Sequence, residues 1–132
     1  ICEYLIQASG RTEILPDEHQ VYHLSRAAIA DGMTEAALLM VYERRFREPS
    51  QINTDWLHRQ NQKVLGGLQW WTDNITPVQS TPTLDQIGLA VSLGYLDFRF
   101  SGEWRTRFTD LALWLTQFQQ MVPAYQLTDP QA

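Results

Sequence analysis

Hydrophobic residues recur at helical spacing along most of the chain. In the segment 109–122 the apolar side chains follow an i, i+3, i+4, i+7 pattern made by Leu111, Trp114, Leu115 and Phe118. In the segment 54–72 four apolar residues share one face, namely Leu57, Val64, Leu68 and Trp71. Gly66 and Gly67 inside that segment predict the close approach of another helix, which compensates the low helix propensity of glycine. No segment alternates apolar and polar residues as a strand does, so the pattern predicts an all-α fold.

The segment 87–96 is apolar at nearly every position, which is typical of a helix in the centre of a bundle. The four residues from Thr83 to Gln86 fit a capping box, in which Thr83 bonds a backbone amide of the first turn and Gln86 bonds back to the cap. We therefore predict a buried central helix that begins at Thr83, with about four or five helices in all.

A longer helical pattern covers residues 16–47, with Asp17 and Glu18 in its first turn, where the helix dipole favours acids. Its periodic positions mix polar and apolar residues: Val21, Leu24, Ala28, Asp31, Glu35, Leu38, Tyr42 and Arg45. Additional apolar surface comes from Ala27, Met33, Ala37, Met40 and Val41. Residues 1–8 predict a separate, preceding helix that ends at Ser9-Gly10.

Composition and charge exclude several classes of protein. A length of 132 residues fits one domain, and no stretch approaches the ~20 apolar residues of a membrane-spanning helix. A net charge of −5 gives no general attraction for nucleic acid, so we expect neither a membrane nor a nucleic-acid partner. The single cysteine, Cys2, excludes an internal disulfide and fits a reducing, cytoplasmic location.

Few side chains suggest chemistry by themselves. His19 and His23 lie one helical turn apart, but a third metal ligand is missing nearby in the sequence, so we expect a solvated helix face and no metal site. Cys2 has apolar neighbours, and we expect it to be buried rather than nucleophilic. Arg44, Arg45 and Arg47 could form an anion site, but Glu43 and Glu48 flank them. The flanking acids favour a solvated helix end over an anion site. The residues alone therefore indicate no self-sufficient active site.

Several short sequence motifs, taken in their order along the chain, resemble those of the glutathione S-transferase family, most closely its bacterial members. They are residues 1–5, Leu15-Pro16, residues 31–33, residues 42–44, Thr83-Leu84, residues 94–99, residues 111–114 and the tail 122–130. The resemblance covers essentially the whole chain. It departs from the family at the cap of the central helix, where Gln86 stands in the place of the usual Asp, and in the tail, where Val122 and Ala124 replace Arg and Ser.

The resemblance implies a two-domain protein of which this chain is the second part. In the family, an N-terminal thioredoxin-like domain binds glutathione and carries the catalytic residue, and a C-terminal all-α domain supplies most of the hydrophobic co-substrate pocket. We therefore expect residues 1–10 to be the last helix of a missing thioredoxin-like domain. Residues 11–132 are then the helical domain of a truncated chain, which has no catalytic residue and is inactive alone.

The resemblance also implies site residues on the long helix, counted from Asp31. In the family, an acid four residues after this Asp reaches across the dimer to the glutathione amine, and here that acid is Glu35. From the residues alone, a solvated helix carboxylate is the favoured interpretation of Glu35, and the resemblance makes the two interpretations equal. The implied pocket for the hydrophobic co-substrate consists of Leu38, Val41, Tyr42 and Arg45.

The implied function is that of a glutathione S-transferase, which conjugates glutathione to small hydrophobic electrophiles. Glutathione is then a co-substrate of a cytoplasmic homodimer that pairs through its two long helices, and no metal takes part. Without the other domain, apolar side chains such as Tyr4 and Leu5 are expected to face water. Two alternatives stay open: a non-catalytic, transferase-like interaction module and a binder of apolar small molecules.

Overall fold

A computed structural model describes residues 1–128 and 130, and within these ranges it contains helices and no strand. The α-helices are α1 (Cys2–Ser9), α2 (Gln20–Arg45), α3 (Thr54–Asp73), α4 (Leu84–Phe100), α5 (Thr109–Met121) and α6 (Pro123–Leu127). Short 3₁₀ turns precede α2, α3 and α5. The predicted all-α class is thus confirmed. The expected domain extends to residue 132, so Asp129 and residues 131–132 of it lie outside the described residues.

The helix ends agree closely with the sequence pattern. α1 ends at Gly10, whose φ of 69° is left-handed. α3 begins after Asn53, whose side chain accepts a hydrogen bond of 2.9 Å from the backbone amide of Trp56. α2 begins later than predicted, because Asp17–His19 forms a 3₁₀ turn before the α-helix starts.

α2 lies between α3 and α4 and packs against both. Its buried face consists of small, flexible or hydrogen-bonded side chains: Arg26, Ala30, Met33, Ala36, Ala37, Met40 and Glu43. Small side chains allow a close approach, and an added Cβ at Gly88 of α4 would lie only 3.5 Å from Cβ of Ala30. The mixed stripe predicted on this helix lies on the opposite side, where Glu35, Tyr42 and Arg45 are exposed.

α4 is the buried central helix that the sequence predicts. Leu89, Leu93 and Leu96 are almost completely buried between α2 and α5. The burial is not complete around the helix, since Val91 is 55% exposed and Phe98 is 36% exposed. One side of the helix is therefore open although its sequence is apolar there.

The predicted capping box at the start of α4 is wrong. The hydroxyl of Thr83 donates to Oδ1 of Asp85 at 2.7 Å, and it accepts no backbone hydrogen bond of the first turn. The side-chain amide of Gln86 donates to the carbonyl of Pro77 at 2.7 Å. Both side chains are drawn away from the helix end because buried groups nearby need partners. Gln86 consequently fixes the connection between α3 and α4.

Asp85 joins the start of α4 to α2 through a buried ion pair. Its carboxylate is 1% exposed and accepts a hydrogen bond of 2.6 Å from Nε of Arg26, while Nδ1 of His23 lies 2.7 Å from its other oxygen. The Arg26 guanidinium also lies over the ring of Trp71, 4.5 Å from the ring centre. Burial raises the pKa of a carboxyl group, but the hydrogen bonds from Thr83 and from α2 outweigh burial, so the pKa of Asp85 is lower than usual.

Two side chains differ from their predicted environments. His19 is exposed as expected, but His23 is wrongly predicted to be solvated, because its imidazole turns inward to Asp85 and is only 13% exposed. Cys2 is exposed, whereas its apolar neighbours predict burial. The reason is that α1 buries Ile6 and turns Cys2 toward solvent.

Gly66 and Gly67 provide a matched test of the α2–α3 contact. A methyl group at Gly67 would overlap the Met33 side chain, whereas nothing lies within 4 Å of a methyl group at Gly66. The predicted close approach therefore holds for Gly67 and not for Gly66. We expect Gly66→Ala to raise the free energy of unfolding in urea by about 0.5–1 kcal/mol. Gly67→Ala should lower it by about 1–3 kcal/mol, and equal effects of the two substitutions would contradict this packing.

Asp85→Asn tests the buried ion pair. The substitution leaves the Arg26 charge buried without its partner, so we expect a loss of about 3–5 kcal/mol of unfolding free energy at pH 7. Because folding lowers the pKa of Asp85, its stabilisation is complete above the unfolded carboxyl pKa of ~3.9 and is lost as the pH falls toward the folded value. The difference between wild type and variant in urea should therefore shrink below about pH 4; a difference that does not depend on pH would exclude a stabilising Asp85 carboxylate.

Candidate ligand-binding face of the long helix

The outer face of α2 is a row of exposed or half-buried side chains, set apart from the buried face that packs against α3 and α4. Its members follow one another at steps of four and three residues, which places them on one side of the helix. They are Asp31, Glu35, Leu38, Tyr42 and Arg45, and all except the half-buried Leu38 are exposed. The residues that the family resemblance implies for the site thus lie on or beside this outer face.

Glu35 lies at the middle of the outer face, one turn after Asp31. Its carboxylate makes no hydrogen bond or ion pair with any residue in the described ranges. A free carboxylate at this position can accept charge-assisted hydrogen bonds from an ammonium group of a ligand.

Val41 and Arg45 line a depression of about 550 Å³ at the C-terminal ends of α2 and α4, which we call the arginine depression. Its other lining residues are Arg44, Arg99, Phe100, Ser101 and Glu103. Val41 is half-buried and, with Phe100, forms an apolar wall. Arg44 and Arg45 are exposed, as expected for a solvated helix end, but they face a third arginine that belongs to α4.

The turn after α4 is fixed by Asp97, which shapes one edge of the arginine depression. The Asp97 carboxylate accepts two hydrogen bonds from Arg105, of 2.8 and 2.6 Å, and one of 3.0 Å from the indole of Trp104. The hydrogen bonds with Asp97 raise the pKa of Arg105. Ser101 and Gly102 adopt left-handed φ values of 53° and 66°, which turn the chain sharply beside Arg99.

Tyr42 lies in a second, aromatic groove. Its ring meets the ring of Phe46 edge to face at 5.2 Å, and Trp56 of α3 lines the same groove. Below these rings, Glu43 accepts a 2.9 Å hydrogen bond from the backbone amide of Asn53 and pairs with Arg47 at 2.8 Å. These two interactions hold the pKa of Glu43 below its ordinary value and attach the end of α2 to the start of α3.

The predicted site residues are thus distributed over three places. Val41 and Arg45 line the arginine depression, Tyr42 lines the aromatic groove, and Glu35 lies earlier on the outer face. Sequence reasoning missed Arg99, because its proximity to Arg45 depends on how α2 and α4 are aligned. The available sequence signal for Arg99 is the family-like motif at residues 94–99, which ends at this residue.

His19 and His23 point in different directions, since His19 is exposed to solvent and the His23 imidazole contacts Asp85. Within residues 1–128 and 130, no group of three or more His, Cys, Asp or Glu side chains could hold a metal ion. In the same part of the chain, no helix has the length and apolar character needed to cross a membrane.

No protein-family profile matches the chain, and no curated protein sequence matches it. Solved structures do match. A glutathione S-transferase from Methylobacterium radiotolerans, in complex with glutathione sulfonate, aligns with a TM-score of 0.86 and 25% identity over 99% of this chain. A glutathione transferase family member from Pseudomonas fluorescens Pf-5, with bound S-(propanoic acid)-glutathione, aligns with a TM-score of 0.80 and 29% identity over 90% of this chain.

A glutathione S-transferase from Methylobacillus flagellatus, with glutathione bound, aligns with a TM-score of 0.80 over 89% of the chain at 24% identity. The chain spans 64%, 63% and 61% of the lengths of these three proteins. The agreement extends over nearly all of the helices described above. The chain therefore has the fold of the C-terminal helical domain of the glutathione transferases, the family that its sequence resembles.

Proposed function

We propose that this chain is the co-substrate-binding helical domain of a glutathione transferase. Residues 1–10 are then the last helix of a thioredoxin-like domain, and residues 11–132 are the helical domain of the longer chain, called the parent protein below. The observation that carries the proposal is the alignment of 99% of this chain with a transferase in complex with glutathione sulfonate, at a TM-score of 0.86. The glutathione ligands in all three neighbours support glutathione as the co-substrate.

In this proposal, the parent protein joins glutathione to a small apolar electrophile. The thiolate sulfur forms a bond to the electrophilic carbon, and the leaving group departs with the electron pair of the bond that breaks. The rate gain comes from positioning the two reactants and from lowering the pKa of the thiol. The second task belongs to the thioredoxin-like domain, so the helical domain contributes binding residues and no catalytic residue.

The outer face of α2 supplies the binding residues in this proposal. Glu35 accepts hydrogen bonds from the ammonium group of glutathione. This role is supported by the exposed carboxylate of Glu35, which has no partner among the described residues. A charge-assisted contact of this kind contributes about 1.5–3 kcal/mol. Of the residues expected for the apolar co-substrate, Leu38, Val41, Tyr42 and Arg45, the pair Val41 and Arg45 shares the arginine depression, and the co-substrate lies there in this proposal.

We also propose that the parent protein is a cytoplasmic homodimer that pairs through α2 and α3. Tyr42, Phe46 and Trp56 support this pairing, because they leave aromatic surface exposed at the junction of the two helices. In the dimer, Glu35 of one subunit reaches the glutathione that is bound by the other. The lone cysteine fits a reducing compartment.

The 132-residue chain alone should not conjugate glutathione to 1-chloro-2,4-dinitrobenzene, because the thiol-activating residue belongs to the other domain. The parent protein should form the conjugate and release chloride, which can be measured by the absorbance of the product. Conjugation by the isolated chain would contradict the division of roles. An inactive parent protein would favour the non-catalytic interaction module instead.

In the parent protein, Glu35→Gln should weaken glutathione binding about 10- to 100-fold while the affinity for the apolar co-substrate changes little. Asp31→Asn is the matched control, since it removes the same charge one turn away on the same face. Val41→Trp should do the reverse and reduce only the affinity for the apolar co-substrate. Calorimetry at moderate salt measures both affinities. Equal losses of glutathione affinity in Glu35→Gln and Asp31→Asn would show that Glu35 acts only through its negative charge and makes no direct contact with glutathione.

A further inference from the structure

The arginine depression is a cationic site on an acidic chain. Arg44, Arg45 and Arg99 line it, and Glu103 is the one carboxylate among its lining residues. The whole chain carries a net charge of −5. Three positive side chains with one negative side chain therefore concentrate positive charge where two helices end, although the chain as a whole is negatively charged.

The three guanidinium groups have no anionic partner in the part of the chain that the structure describes. Other arginines do have one, as the pairs Arg26–Asp85, Arg47–Glu43 and Arg105–Asp97 demonstrate. Arg45 lies over the ring of Phe46 at 5.7 Å, and Arg99 lies over the ring of Phe98 at 4.3 Å. Ring stacking restrains these side chains and leaves the N–H donors at their edges available.

The helix dipole explains why arginines occur at these positions but not what they bind. The C-terminal ends of α2 and α4 are negative, and they attract the basic residues of their last turns. A guanidinium group carries five N–H donors in a planar fork that matches the two oxygens of a carboxylate. Since α2 and α4 end side by side, forks from both helices converge on one space.

The depression also has an apolar side, which the half-buried Val41 and Phe100 provide. An inorganic anion would leave this side uncovered, and a purely apolar molecule would leave the arginines without a partner. A ligand with both an apolar body and an oxyanion satisfies both sides.

We propose that the arginine depression binds an amphipathic organic anion, with its carboxylate on Arg45 and Arg99 and its apolar body on Val41 and Phe100. This inference rests on the proposed function and narrows its co-substrate from an apolar electrophile to one that also carries a carboxylate. The specificity of the pocket is then for anionic electrophiles, in which a carboxylate group is separated from the reacting carbon by apolar atoms.

A pair of shape-matched probes tests this site on the 132-residue chain: 1-naphthaleneacetate, which is anionic, and 1-naphthaleneacetamide, which is neutral. By calorimetry, we expect the anion to bind about tenfold more tightly than the amide. Arg45→Gln and Arg99→Gln should each remove most of that preference, whereas Arg99→Lys should retain part of it. Arg59→Gln is the control, because Arg59 is an exposed arginine of α3 outside the depression, and its removal should leave the preference unchanged.

Equal binding of the two probes, or no binding of either at millimolar concentration, would overturn the site. An anion preference that persists in both Gln variants of the depression, or that Arg59→Gln lowers equally, would overturn its location. The measurement uses no glutathione and is independent of turnover. An anion preference in a chain whose parent protein fails to conjugate glutathione would therefore refute the proposed function alone, and a transferase without the preference would refute this inference alone.

Discussion

The contact of Asp85 with Arg26 and His23 determines how the two central helices of this domain are aligned. Arg26 and His23 lie one turn apart on α2, and both bind the same buried carboxylate at the start of α4. The same alignment continues along the helices, because the Ser92 hydroxyl donates to the carbonyl of Ala30 at 2.9 Å and lies 2.7 Å from the Thr34 hydroxyl. All these pairs are separated by 58–62 residues in sequence, so α2 and α4 run parallel and end together.

The proposed ligand-binding surface follows from this alignment. With α4 on one side and α3 on the other, α2 has a single free face, and Glu35 lies on it. Because α2 and α4 end at the same level, Arg45 and Arg99 line one depression although they belong to different helices. A shift of α4 by one helical turn, about 5.4 Å, would separate these arginines and uncover the Asp85 carboxylate.

Most of the fold could be predicted from the sequence, because local periodicity determines each helix. The four apolar residues predicted for α5 are all buried, and the ends at Gly10 and Asn53 follow from local backbone chemistry. The predictions that are wrong depend on contacts between residues far apart in the sequence. Thr83 fits a capping box locally, but Asp85 competes for its hydroxyl group because two partners on α2 keep that carboxylate buried and charged. On α2, alanines form the core face, so hydrophobicity alone could not identify the buried side. The individual site residues came from the family resemblance and remain predictions.

The central claim is that the free face of α2 and the end of α4 together form one ligand-binding surface. Its most direct test is an NMR titration of the ¹⁵N-labelled parent protein with S-hexylglutathione, which carries an ammonium group, two carboxylates and an apolar tail. We predict that, among the residues of this chain, the largest backbone amide shifts fall within residues 35–45 and 99–103, on two segments that are far apart in sequence. Largest shifts within α3 or α5, with residues 35–45 and 99–103 unchanged, would contradict the claim.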